Sequence, residues 1–133
     1  MYSQTIELKS LFKKEYGVIK FEIQNVIQDS DSKKLSVISF QNFEYNAVTD
    51  TRYIYLNKEE LQVFASKLKE FVDKEKGVDL MFNVEGKYSL NLYPEFSSHI
   101  TLMDSEGKMN IISKRNAKKL VLDIETNINL LNQ

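Results

Sequence analysis

Few residues in this 133-residue chain are equipped for chemistry. His99 is its single histidine and cysteine is absent. A histidine-rich metal site or a Ser-His-Asp arrangement would fall on that one side chain, and thiolate chemistry is excluded. A strand position facing solvent is the simpler reading of His99. Asp29-Ser30-Asp31-Ser32 has the opening of a calcium loop, but Lys34 stands at the sixth position, where that loop needs glycine, and Phe40 at the twelfth, where it needs glutamate. It reads as a turn. Gly17, Gly77, Gly86 and Gly107 stand apart, so no glycine-rich phosphate cradle exists. The carboxylate pairs Glu59/Glu60 and Asp73/Glu75 sit among lysines on an amphipathic stretch and read as a solvated face. Without a general acid and base that share a third member, the expectation is a protein that is not an enzyme and needs no cofactor, metal or small-molecule substrate.

One constellation does carry a mechanism. Lys13, Lys14, Lys20, Lys33, Lys34 and Arg52 accompany Phe43, Tyr45, Tyr53 and Tyr55 in the first half of the chain. Bases of single-stranded nucleic acid stack on exposed rings, by about 1–3 kcal/mol each, while cations follow the phosphates. The competing reading is that the same rings cover a protein interface or the rim of the core.

The elements that position these residues are legible from periodicity. From Lys34 to Gly77 the chain reads as strand (34–45), loop (46–50), strand (52–56) and helix. Ile38 and Phe40 share one strand face, and Ile54 and Leu56 do the same in the next strand, so Phe43, Tyr45, Tyr53 and Tyr55 are expected on the opposite, solvated face. Asn57 and Glu60 have capping-box spacing, and Leu61, Phe64, Leu68, Phe71 and Val72 form the apolar stripe of the helix that follows. Before this stretch, Ile19, Phe21 and Ile23 alternate with Lys20, Glu22 and Gln24, and the polar run Gln28 to Lys33 reads as the connecting loop. In Thr5 to Phe12, Ile6 and Leu8 alternate as in a strand, while Leu8, Leu11 and Phe12 also fit a helical stripe; strand is the preferred reading. After Gly77 come a hairpin turning at Glu85-Gly86 and a second turning at Asp104 to Lys108. A helix capped by Ser113 follows, with the stripe Ala117, Leu120, Val121, Ile124, Ile128 and Leu131.

From the last strand onward the halves superpose in pattern at an offset of 56, with Tyr53 on Met109, Leu56 on Ile112 and the caps Asn57 on Ser113. This predicts an α+β fold in which a mainly antiparallel four-stranded sheet followed by a helix occurs twice (ββββα-ββββα). The result is one domain over 1–133, with pseudo-repeats at about 4–77 and 78–133. The register turns Asn110 inward, opposite Ile54, and predicts a shift or bulge in the last strand.

Charge is nearly balanced, with 18 basic and 19 acidic residues. Residues 77 to 113 are net acidic, whereas Lys114, Arg115, Lys118 and Lys119 make the C-terminal stretch basic. The chain is not a basic protein, but a local basic patch is compatible with it. No apolar run is long enough to span a bilayer, and the opening residues lack the cationic-then-apolar order of a signal peptide. A cytoplasmic location, with no membrane partner, is the expectation.

Leu35-Ser36-Val37 and Arg52-Tyr53-Ile54-Tyr55-Leu56-Asn57-Lys58-Glu59-Glu60-Leu61 resemble the strand, strand and helix entry of the Whirly and Pur-alpha superfamily, which includes the positive-cofactor coactivators. Tyr16-Gly17-Val18-Ile19-Lys20-Phe21 is similar to that family's Lys-Gly-Lys-Ala-Ala-Leu strand, with Tyr16 and Val18 where the family has lysines. The resemblance implies binding of single-stranded DNA or RNA across the strands, in replication, recombination or transcription regulation. It also implies homo-oligomers, dimers or tetramers, held by the helices. Carried to this chain, it assigns binding to Lys20, Phe43, Tyr45, Arg52, Tyr53 and Tyr55. The alternative function is a protein-interaction module, such as a chaperone, immunity protein or inhibitor, that uses the same aromatic face.

Overall fold

In the computed structural model, which describes residues 6–43 and 50–132, the chain forms two antiparallel four-stranded meanders, each followed by a helix. The order is β1 (Ile6–Tyr16), β2 (Ile19–Gln28), β3 (Asp31–Gln41), β4 (Thr51–Leu56), α1 (Lys58–Val72), β5 (Leu80–Val84), β6 (Tyr88–Leu92), β7 (His99–Asp104), β8 (Met109–Ser113) and α2 (Lys114–Asn127). Short 3-10 turns occupy Pro94–Phe96 and Ile128–Leu131. This is the α+β layout ββββα-ββββα read from the alternation of apolar residues.

In the first sheet, Phe21, Ile38 and Ile54 stand opposite one another across three strands, and Ile19 stands opposite Phe40. Their side chains are buried, so the alternation of Ile, Phe and Leu with polar residues is the inner face of this sheet. The β1–β2 turn is only Gly17-Val18, with Gly17 at φ +68°. The loop expected over Gln28 to Lys33 is likewise reduced to Asp29-Ser30, with Asp29 at φ +56°. Strand pairing outlasts the apolar pattern here, because backbone hydrogen bonds continue into a solvated ribbon where no side chain needs burial. At its other end, β3 stops at Gln41, short of the expected Tyr45, and residues 44–49 lie outside the described residues.

Asn57 caps α1 as a full capping box. Its Oδ1 accepts the Glu60 N–H at 2.8 Å, and its own N–H donates to Glu60 Oε1 at 2.9 Å. Leu61, Phe64, Leu68 and Phe71 are buried with Ala65, and Val72 packs partly against them. Ser113 caps α2 by accepting the Asn116 N–H at 3.1 Å. Its stripe Ala117, Leu120, Val121 and Ile124 is buried, and the terminal 3-10 turn brings Leu131 into the same core. α1 lies along α2, and the buried side chains form one continuous cluster drawn from both sheets and both helices.

Asn110 does point inward, opposite Leu102, but β8 pairs with β7 without a shift. No bulge is needed because the amide is satisfied: Nδ2 donates to the Gln41 carbonyl at 2.8 Å, and Oδ1 accepts the Ile111 N–H at 2.7 Å. The irregularity lies instead in β1, between Ser10 and Phe12. The N-terminal segment is therefore strand, and the bulge reconciles its two competing apolar patterns by giving Leu11 an extra place. No helix among the described residues is long and apolar enough to cross a membrane.

Candidate nucleic-acid interface

The outer face of the first sheet is built in rows. Lys20, Ser39 and Tyr53 stand side by side on β2, β3 and β4, and Glu22, Val37 and Tyr55 form the next row. On β1, Glu15 extends the first row and Lys13 the second. Tyr53 and Tyr55, two residues apart on β4, are each more than half exposed, with ring centroids 6.3 Å apart and ring planes 17° from parallel. Such a pair offers two flat, rigid faces above a sheet. Farther along, Gln24 and Leu35 share a row, then Leu8, Val26 and Lys33, so an apolar diagonal runs from the tyrosines through the buried Val37 and the half-buried Leu35 and Val26 to the exposed Leu8.

Of the six residues expected to bind, Lys20, Tyr53 and Tyr55 are brought together on this face. Tyr45 lies outside the described residues. Phe43 is exposed but sits past the end of β3, where its N–H donates to the Met109 carbonyl of the second sheet at 2.8 Å. Arg52 is on the opposite face of β4, in the row of Phe40. Its Nε donates to Asp104 Oδ2 at 2.6 Å, while its other nitrogens lie 2.8 Å from Glu106 Oε1 and 3.3 Å from Asp50 Oδ1. The hydrogen bond to Asp104 raises the guanidinium pKa further above its usual range. The Asn42 amide donates to Asp50, and this bond, with the Arg52 contact, holds that carboxyl below its ordinary value. Arg52 is thus a tie between sheets.

Two further cations are engaged elsewhere. Lys14 lies 3.3 Å from Asp123 and over the Tyr16 ring, and Lys34 donates to the Asn132 carbonyl. The Tyr16 hydroxyl donates to Asp123 at 2.6 Å, and burial, together with that carboxylate, raises its pKa strongly. This leaves Lys13, Lys20 and Lys33 on the outer face, accompanied by Glu15, Glu22 and Asp31. The sequence reading had Glu22 on this wet face beside Lys20; Glu15, Asp31 and the apolar diagonal were missing from it, although strand parity carries the signal for all three. The second sheet differs: its outer face, with Met81, Asn83, Ser89, Asn91, Met103 and Ile111, carries no charged side chain.

Among the described residues, no group of three or more His, Asp or Glu side chains is placed to hold a metal ion. No protein-family model matches the chain, and no curated protein matches it.

Proposed function

We propose that the protein binds single-stranded DNA or RNA across the outer face of its first sheet, stacking bases on Tyr53 and Tyr55 while Lys20 and Lys13 meet the phosphates. The observation that carries this reading is the exposed, near-parallel tyrosine pair in the same rows as those two lysines. The ββββα-ββββα layout, which is also what the resemblance to the Whirly and Pur-alpha superfamily implies, supports it. The reading includes a cytoplasmic protein that assembles as a dimer or tetramer through its helices. The exposed Val63 and Leu122 on α1 and α2 support that assembly.

Charge favours a second reading, a protein partner on the same face. Lys13, Lys20 and Lys33 are balanced by Glu15, Glu22 and Asp31, and the apolar diagonal has the aromatic, charge-poor character of an interface core.

Fluorescence anisotropy of a labelled mixed-sequence single strand, beside the matching duplex, separates the two. The nucleic-acid reading requires preference for the single strand, weakening as salt rises. Tyr53→Ala or Tyr55→Ala should then weaken binding about ten- to a hundredfold. No binding at low salt retires that reading and leaves the protein partner.

A further inference from the structure

A sizeable cavity lies away from this face, at the seam between the sheets. It has a volume of about 670 Å³ and is walled by the β1–β2 turn, the chain just past β3, the start of β7, β8 and the first turn of α2. That volume falls within the range of small-ligand sites.

Its walls are fixed in place. The Phe43 N–H donates to the Met109 carbonyl, and the Gln41 carbonyl accepts from Asn110 Nδ2. The Asn116 amide packs on the turn: a Cβ on Gly17 would lie 3.1 Å from Asn116 Nδ2. Glycine at this φ of +68° therefore serves both the turn and the wall.

The lining has a definite chemistry. Among the described residues, no Asp, Glu, Lys or Arg side chain lines the cavity, which disfavours a charged group inside it. Phe43 offers an exposed aromatic ring, and Val18 and Ile111 offer exposed apolar surface. Between them stand the side-chain amides of Gln41 and Asn116 and the ring of His99, whose Nδ1 bonds Ser98 Oγ at 2.9 Å. The half-buried Asn116 amide makes no side-chain hydrogen bond among the described residues. An aromatic ring beside accessible side-chain amides suits a flat, neutral ligand with a donor and an acceptor on one edge. A nucleobase has that form, and an Asn or Gln amide pairs in two-pronged fashion with adenine N6 and N7. Outside the cavity, Arg115 is exposed next to Asn116, in a helix turn without acidic residues, where it can meet a phosphate.

We infer that this seam cavity binds one nucleobase, adenine above the others, with Phe43 stacking on it and Asn116 reading its edge. The base comes either from a free nucleoside or from a strand, and only the latter source rests on the single-strand reading above.

The test is ¹⁵N-resolved NMR of the whole chain titrated in parallel with adenosine, uridine, inorganic phosphate and a short oligo-dA. Saturable shifts are expected with adenosine at the Gly17 and Ile111 amides and the Asn116 side chain, weaker ones with uridine and none there with phosphate. Asn116→Ala and, independently, Phe43→Leu should each weaken adenosine binding about tenfold or more, and Tyr53→Ala should not change it. Silence of the cavity to adenosine at millimolar concentration, or equal shifts with phosphate, overturns the inference. If oligo-dA shifts Tyr53 and Tyr55 while the cavity stays silent to every probe, the cavity proposal falls and the sheet-face reading stands. If adenosine fills the cavity and oligo-dA leaves the tyrosines unmoved, the reverse holds and the ligand is the free nucleoside.

Discussion

Tyr88→Phe should make this protein more stable. Tyr88, on β6, is 2% exposed, with its ring edge-on to Phe64 at 5.4 Å and tilted against Phe82 at 6.3 Å. Its hydroxyl is fully buried without a hydrogen-bond partner among the described residues, beside a small cavity lined by Glu59, Glu60, Val63 and Val84. A buried hydroxyl left unpaired costs about 1–3 kcal/mol. Phenylalanine keeps every ring contact, and the void left by one oxygen, at ~24 cal/mol per Å³, returns only a few tenths of a kcal/mol. The expected net gain is about 1–2 kcal/mol, which for a chain of 133 residues raises Tm by about 4–7 °C, given an unfolding entropy of ~2.1 cal/mol/K per residue. The same hydroxyl gives the prediction a pH signature. Burial, and after it the Glu60 carboxylate, pushes the Tyr88 pKa from 10.0 up to about 12. The unfolded chain therefore releases this proton first, and the wild type loses stability as pH rises from the unfolded value through the folded one. The phenylalanine variant lacks that loss, and Tyr16 contributes equally to both proteins, so the gap between them should widen with alkaline pH. Urea melts followed by circular dichroism measure this directly. A variant less stable than wild type at neutral pH, or a gap that stays constant into the alkaline range, refutes the reasoning.

Three other substitutions probe the frame. Asn57→Ala removes the side-chain half of the α1 capping box, the bond from the Glu60 N–H, and leaves the backbone N–H to donate to Glu60 Oε1; it should cost about 1 kcal/mol in denaturant unfolding. Asn110→Ala removes two part-buried hydrogen bonds, to the Gln41 carbonyl and from the Ile111 N–H, and at about 0.5–1.5 kcal/mol each a loss of about 1–3 kcal/mol is expected from the same measurement. Asp104→Ala should lower Tm more than Glu106→Ala. The Asp104 side chain is 6% exposed and accepts from Arg52 and from the Glu106 and Lys108 backbones, whereas the Glu106 side chain is 70% exposed. Equal losses would show that Arg52 ties the sheets no better through one carboxylate than the other.

The sequence made the strand faces legible because burial imposes a period of two: Ile54 and Leu56 inward, Tyr53 and Tyr55 outward. The same rule places Arg52 inward, and grouping it with the tyrosines set parity aside in favour of charge. What parity could not supply was its partner, since Asp104 stands half a chain away and no local signature links the two. Phe43 escaped for a related reason: β3 ends at Gln41, so strand alternation no longer governs the residue two places on. Asn110 was read correctly as inward-facing and wrongly as a disturbance of register. The acceptor that satisfies its Nδ2, the Gln41 carbonyl, belongs to the other sheet. The seam cavity was illegible altogether, because each of its walls comes from a different stretch of chain.

The shared core also bears on how the protein is made. Tyr16 closes on Asp123, and Lys34 and Lys58 both donate to Asn132 near the other end of the chain. A first half leaving the ribosome has its strands and its helix but not the surface against which they close. At ~5–20 residues per second the second half takes several seconds to follow. During that interval the apolar side of the first sheet and the stripe of α1 stand open, so the nascent chain depends on chaperone cover or on the charged residues that flank those stripes. Severing the chain near Gly77 would make that exposed interval permanent for both pieces.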